Sequence, residues 1–329
     1  MKRVRILSGM RPTGKLHLGN LVGALQNWLR LQEEHQCFFL VADWHALTTG
    51  YADTSALAAN VQEVVLDYLA AGLDPARSVI FVQSHVAEHA ELSLLFSMIT
   101  PIGWLERVPT YKQQMQEMPD RDLSTHGFLG YPVLQAADIL IYKAEGVPVG
   151  EDQVPHVELT REIARRFNYF YGPVFPEPQA LLNVVKVLPG IDGRKMSKSY
   201  GNQINIADPP EEIRRKVAQM VTDPTRIYRR DPGHPEECSV HMFYRVFAPE
   251  VQDERAEACR QAARGCVECK RLLGDALVEW LAPLQERRRY FEARPGEVEE
   301  MLREGADRAR EVARLTMEEA RRAVGMFHA

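Results

Sequence analysis

The sequence has no apolar run approaching the ~20 residues that cross a membrane. Its start, Met1-Lys2-Arg3-Val4-Arg5-Ile6-Leu7, is basic, but the apolar stretch that follows is far too short for a secretory signal. A global basic field is missing too. Forty Lys and Arg against forty-five Asp and Glu give a formal net charge of −5, so any nucleic-acid contact must be local. Basic runs do occur, at Arg161, Arg165 and Arg166, at Arg214 to Lys216, at Arg229 and Arg230, and at Arg287 to Arg289. Such runs are commonly solvated helix faces. No repeat or low-complexity segment is present. Cysteine is scarce, five residues in 329, yet four of them crowd into 32 positions: Cys238, Cys259, Cys266 and Cys269. These absences predict a cytoplasmic protein without membrane attachment, in which disulfides are not expected.

What remains is an average globular composition, 45% hydrophobic and 26% charged, with length for about two domains. Val4 to Gly9 reads as a short buried strand that ends in a turn at Arg11-Pro12-Thr13-Gly14. Leu21, Val22, Leu25, Trp28, Leu29 and Leu31 have helical spacing over Gly19 to Glu34. Cys37 to Asp43 is a second strand, Asn60 to Ala71 a helix, and Ser78 to Gln83 a third strand. Alternating strand and helix implies a parallel sheet covered on both faces. Ligands bind such sheets at the carboxyl ends of the strands, where residues 9–20 fall. Residues 84–170 read as mainly helical, Gly172 to Pro189 as a Pro- and Gly-rich connection, and Glu297 to Val324 as an amphipathic helix that folds back on the core. Beyond residue 208 the chain becomes helical and richer in charge, a second domain.

Two short sequences carry chemistry. In Thr13-Gly14-Lys15-Leu16-His17-Leu18-Gly19-Asn20, the glycines let backbone approach a ligand, and a following helix offers free N–H groups to phosphate. In Gly193-Arg194-Lys195-Met196-Ser197-Lys198-Ser199, two lysines and two serines can neutralise a pyrophosphate leaving group. A third stretch, Tyr131 to Leu140, places Tyr131, Gln135 and Asp138 at i, i+4 and i+7, on one helix face among apolar neighbours. An acid so placed is costly without a partner, and a substrate N–H would supply one.

The two short sequences together resemble the signatures of class I aminoacyl-tRNA synthetases. The second matches letter for letter. The first reads His17-Leu18-Gly19-Asn20 where the family is written His-Ile-Gly-His, a departure shared in its tryptophan and tyrosine branch. Asp43-Trp44-His45-Ala46, Gln83-Ser84, Tyr131 to Leu140, Val147 to Gln153 and Glu158-Leu159-Thr160-Arg161 resemble the tryptophanyl-tRNA synthetases over nearly the whole chain. Residue chemistry alone does not separate tryptophan from tyrosine; the family pattern does.

The resemblance implies an α/β fold: a Rossmann-type catalytic domain over 1–200, an all-helical tRNA anticodon-binding domain over 201–295, and a C-terminal helix over 296–329 packing back. It implies that L-tryptophan is activated with ATP and passed to tRNA(Trp). Asp138 would accept the indole N–H, with Tyr131, Gln135, His45 and Gln153 lining the pocket. ATP would lie along Arg11, Pro12, Thr13, Gly19, Asn20, Gly150, Glu151, Asp152, Val187 and Lys195 to Ser199 (Lys195, Met196, Ser197, Lys198, Ser199). His17, Lys195 and Lys198 would serve the transition state, and Mg²⁺ would bridge the phosphates. Family members are homodimers, and Ile99 to Gly103 is the expected interface.

The cysteines read C-x20-C-x6-C-x2-C. Four clustered thiols in a reducing compartment indicate a metal. Structural zinc usually has two short Cys pairs and here only Cys266 and Cys269 make one, so an iron–sulfur cluster is the expectation and Zn²⁺ the alternative. The spacing also resembles a subgroup of tryptophanyl-tRNA synthetases that carries a [4Fe–4S] cluster. Cys37, in an apolar strand, is expected to be inert core.

Overall fold

The computed structural model describes residues 3–117, 121–182 and 187–327. Five strands form one sheet: β1 (Arg5–Met10), β2 (Gln36–Val41), β3 (Val79–Val82), β4 (Gly146–Val149) and β5 (Gln179–Leu182), in the order β3-β2-β1-β4-β5. All neighbouring pairs are parallel. Between β1 and β2 lie α1 (Leu18–Asn20) and α2 (Gln26–Glu34). Helices α3 (Asp43–Gly50) and α4 (Leu57–Ala71) precede β3. Next come α5 (Glu88–Ile99), α6 (Ile102–Leu105), α7 (Pro109–Glu117) and α8 (His126–Leu140) before β4, and α9 (Val154–Tyr171) before β5. The remainder is helical: α10 (Pro210–Gln219), α11 (Ser239–Phe247), α12 (Gln252–Arg260), α13 (Cys266–Glu292) and α14 (Pro295–Ala323).

The strands show why the sheet is covered twice. Along β1 and β2, Ile6, Cys37, Phe39 and Val41 face one core, while Leu7, Phe38 and Leu40 face the other. Successive side chains leave opposite faces of a strand, so a continuous apolar run must be buried on both. The first core takes Trp28 from α2, Val64 and Tyr68 from α4, and Leu273, Leu277 and Leu281 from α13. The second takes Phe96, Ile139, Phe167 and, from α14, Ala309, Ala313 and Met317. Helix α14 approaches β3 so closely that a Cβ on Gly305 would stand 1.9 Å from the Ile80 carbonyl oxygen, so only glycine fits there.

Two expectations change. The helix read over Gly19 to Glu34 is broken: α1 passes into a π-helical turn at Leu21–Leu25 before α2. The stretch from Gly172 to Pro189 contains an edge strand, β5, whose Gln179-Ala180-Leu181-Leu182 is too short and too weakly patterned to stand out. No helix among the described residues is long and apolar enough to cross a membrane.

Candidate active site

The strand order reverses between β1 and β4, and a cavity of about 360 Å³ opens there, at their carboxyl ends. Ser8 to Arg11 form one wall, and Val147 to Gly150 with Gln153 form another. His45, Tyr131, Gln135 and Asp138 close the deep side. Seven residues singled out from sequence therefore meet in one place: Arg11, His45, Tyr131, Gln135, Asp138, Gly150 and Gln153. The i, i+4, i+7 face of α8 is what brings Tyr131, Gln135 and Asp138 together.

Asp138 is 3% exposed and already has partners. His45 Nε2 stands 2.7 Å from Oδ2, and His89 Nδ1 stands 2.6 Å from Oδ1. Gln83 Nε2 donates to both oxygens, at 2.7 and 2.9 Å. Burial alone would push the carboxyl up, but the charge and hydrogen bonds of His45 and His89 outweigh it and hold Asp138 at about 2. An ionised carboxylate only accepts, so both histidines donate to it. The other ring nitrogen of His89 lies 2.6 Å from the Tyr142 hydroxyl. The cost that seemed to require a substrate N–H is thus met by protein groups, and Asp138 reaches the cavity as a preset anion. Two of its partners come from one junction. The Asp43 carboxylate accepts from the backbone N–H of Ser84 at 3.0 Å, tying the start of α3, which carries His45, to the turn that carries Gln83. His89 was missed in the sequence because a buried histidine on an apolar helix has no periodic signal.

The first glycine-bearing turn is less open than expected. The Leu16 N–H donates to Asp67 Oδ2 at 2.6 Å, and the Leu18 N–H to the Ile204 carbonyl at 2.9 Å. His17 and Asn20 form a reciprocal cap: the Asn20 N–H donates to His17 Nδ1 at 3.2 Å, and the His17 N–H to Asn20 Oδ1 at 3.1 Å. The free N–H groups expected to meet a phosphate are therefore largely taken. What the turn offers instead is His17. Burial, then the charges of Lys198 and Lys195, lower its pKa to about 4, so the ring is neutral. With Nδ1 accepting, its proton sits on Nε2 as a donor. The ring lies against Gly19, where a Cβ would stand 3.0 Å from it, so a larger residue would have to push the ring aside by a few tenths of an ångström. Asn20, odd against the family spelling, completes the cap.

The lysine loop is fastened to this turn. Lys198 Nζ donates to the Gly14 carbonyl at 2.7 Å and to Thr13 Oγ1 at 3.2 Å. Burial lowers its pKa to about 8, with Asp67 opposing. Lys195 and Ser199 are exposed, Ser197 is half-buried, and Met196 is buried against the core. Pro12 is buried, Thr13, Glu151 and Asp152 are exposed, and Gly19 and Asn20 are half-buried; none of these lines the cavity. Val187, 61% exposed, also stands outside its wall.

The four cysteines gather at the start of α11, on α12 and in the first turn of α13. Burial raises the Cys259 and Cys269 thiols, Cys269 to about 11, and the neighbouring thiols add to it. Arg226 Nη1 stands 3.7 Å from Cys259 Sγ and 3.8 Å from Cys266 Sγ. Among the described residues, no group of three or more His, Cys, Asp or Glu is arranged to hold a metal ion. Burial favours the neutral thiols, and the Arg226 guanidinium opposes it at Cys259. Cys37 is fully buried, and burial pushes its thiol to about 12, an inert core residue.

Residues 1–282 match the family of class I tRNA synthetases for tryptophan and tyrosine, and the chain belongs to it. Its relatives narrow the group. The chain is 58% identical over 329 residues to a tryptophan–tRNA ligase of Thermotoga maritima, covering 98% of this chain and 100% of that one. It is 48% identical over 394 residues to a tryptophan–tRNA ligase of Aquifex aeolicus, with 98% and 100% covered. Tryptophanyl-tRNA synthetase from Campylobacter jejuni, solved with ADP and tryptophan, superposes with a TM-score of 0.90 at 34% identity, covering 98% and 100%.

Proposed function

We propose that the chain is a tryptophan–tRNA ligase whose cavity between β1 and β4 takes tryptophan and whose turn at 11–20, with the lysine loop, takes ATP. The observation that carries this reading is the meeting of a buried, preset carboxylate, Asp138, with Tyr131, Gln135, His45 and Gln153 at the strand ends, beside a turn already linked to Lys198. An indole N–H only donates, and Asp138 only accepts. His45, His89 and the two contacts of Gln83 already meet the carboxylate's ~four acceptor sites, so an indole N–H would take over one of the two that Gln83 shares.

The carboxylate oxygen of tryptophan attacks the α-phosphorus of ATP; the bond to the bridging oxygen breaks and pyrophosphate leaves. A hydroxyl of the terminal ribose of tRNA(Trp) then attacks the aminoacyl carbonyl, and AMP leaves. No side-chain nucleophile is needed, so positioning and charge stabilisation carry the rate. His17 donates through Nε2, and Lys195 and Lys198 meet the charge that builds on pyrophosphate. Arg11, Pro12, Thr13, Gly19, Asn20, Gly150, Glu151, Asp152, Val187, Met196, Ser197 and Ser199 complete the proposed ATP path. Mg²⁺ comes with the phosphates, held mainly by them. ATP–pyrophosphate exchange with tryptophan and with tyrosine tests the assignment: exchange with tryptophan is expected, and exchange with tyrosine instead would refute it.

Cys238, Cys259, Cys266 and Cys269 are proposed to hold a [4Fe–4S] cluster, with Zn²⁺ as the alternative. Their support is convergence from three helices and a cation, Arg226, beside two of the sulfurs. Iron and sulfide determination on anaerobically purified protein, with absorbance near ~400 nm, supports the cluster; one zinc and no colour would overturn it. A cytoplasmic homodimer is the proposed form. Leu94, Met98 and Ile102, all more than half exposed along α5 and α6, support the interface near Ile99 to Gly103, and light scattering measures it.

A further inference from the structure

Helix α13 begins beside the cysteines and ends against the catalytic sheet's helices, with Cys269 and Arg288 roughly 28 Å apart at ~1.5 Å per residue. Near its end, Arg288 is 3% exposed and its guanidinium meets Asp67 and Glu63 of α4, with Glu292 of its own helix 2.8 Å from Nε. Asp67 is fully buried and uses both oxygens: Oδ1 faces Arg288, and Oδ2 accepts the Leu16 N–H at 2.6 Å. A second route runs one turn earlier. Gln285 Nε2 donates to the Ile206 and Asp208 carbonyls, both at 2.9 Å, and the Ile206 N–H donates to the Leu16 carbonyl at 2.9 Å. Both backbone polar groups of Leu16, the residue before His17, are therefore held by α13 through one intermediary each.

We propose that Asp67, Arg288 and Gln285 are positioning residues that set the ATP turn by the placement of α13, so that the helical C-terminal region and the ATP turn move as a coupled pair. The chemistry requires a carboxylate at 67. Arg288 and the Leu16 N–H are both donors, and only an ionised carboxylate accepts on both sides. A protonated acid or an amide must turn a donor toward one of them and lose that bond. Burial raises Asp67 to about 6 despite Arg288, so its charge is at stake near neutrality. The charged groups facing it are Arg288 from α13, Glu63 from α4 and Lys198 from the lysine loop.

The inference rests on the proposed ATP site, and the test separates the two. ATP–pyrophosphate exchange is measured for Asp67→Asn, Arg288→Lys, Arg288→Met, Gln285→Ala, the double variant Asp67→Asn/Arg288→Met, and Lys198→Ala, with thermal unfolding as a check on folding. The expected result is a KM for ATP raised about tenfold in Asp67→Asn and Arg288→Met and a fewfold in Gln285→Ala. The KM for tryptophan stays within about twofold, and the double variant is no worse than its worse parent, since coupled groups are not additive. The wild-type KM for ATP also rises as pH falls through about 6, and this dependence is absent in Asp67→Asn. If Asp67→Asn does not fold, Arg288→Lys and Gln285→Ala decide. Unchanged ATP KM in the folded variants, with Lys198→Ala raised, overturns the positioning role. Unchanged ATP KM in Lys198→Ala as well overturns the ATP site beneath it.

Discussion

The cavity around Asp138 and the turn around His17 sit side by side and are built on opposite plans. Around Asp138, three donors from α3, α5 and the turn after β3 fix a carboxylate that is almost wholly buried. Its charge and orientation are settled before any ligand arrives. Around His17, the backbone is pinned, but the cationic groups are on the outside: Lys195 is exposed, and Lys198 is held by one carbonyl and one hydroxyl. The difference matches the chemistry proposed for each. Discriminating one apolar side chain needs rigid polar groups that punish a misfit. Stabilising a leaving pyrophosphate needs charge that strengthens as the transition state forms.

The largest effects should come from breaking the rigid half. Asp138→Ala leaves His45, His89 and Gln83 without their acceptor, and removing one member of a buried charged network costs about 3–5 kcal/mol. The variant should lose more than ~100-fold in kcat/KM for tryptophan and unfold at clearly lower temperature. Exchange kinetics and calorimetry read both; intact tryptophan affinity would show that Asp138 is structural only. Acid acts on the same group with a defined sign. Its folded pKa, about 2, is below the unfolded value, so its stabilisation is present above pH ~4 and is lost as pH falls toward 2. The half around His17 should break differently. Lys195→Ala should lower the rate of exchange about 100-fold while tryptophan affinity, measured by equilibrium binding, is unchanged. A loss of tryptophan affinity would mean the two halves are not separate.

How each half could be read from sequence follows the same division. The lysine loop is legible because five contiguous letters carry it. The face bearing Tyr131, Gln135 and Asp138 is legible because a helix turns spacing into direction, and all three reach the cavity. The partners of Asp138 are not, since Gln83 and His89 lie 55 and 49 residues away and only strand order brings them in. The sheet was legible where strands are apolar on both faces, as in β1 to β3, and illegible at β5, whose Gln179 and Leu182 are exposed at the edge. The expectation of free N–H groups at Leu16 to Asn20 failed because their acceptors, Asp67 and Ile204, are contributed by other segments.

Smaller perturbations sharpen the boundary between the halves. Lys198 carries charge below its pKa of about 8 and loses it as pH rises through that value. The kcat/KM for ATP, which reports the free enzyme, should therefore fall above pH 8, while the KM for tryptophan stays flat. Lys198→Arg, always protonated, should move that limb to higher pH; a limb that stays at pH 8 would assign it to another group. The smallest effect belongs to Asn20. Its side chain only caps the His17 N–H, at 3.1 Å, so Asn20→Ala should cost about 1 kcal/mol of stability. The ring whose Nε2–H is proposed to meet the phosphate is held by the Asn20 backbone N–H, which the substitution keeps but which the cap places, so the KM for ATP should rise a fewfold. Asn20→Asp keeps an acceptor for that N–H and should recover most of the stability. It places a negative charge beside the phosphate path, however, so the KM for ATP should rise rather than recover. Should both properties recover together, Asn20 would be a cap alone, and the turn would owe its binding to the lysines.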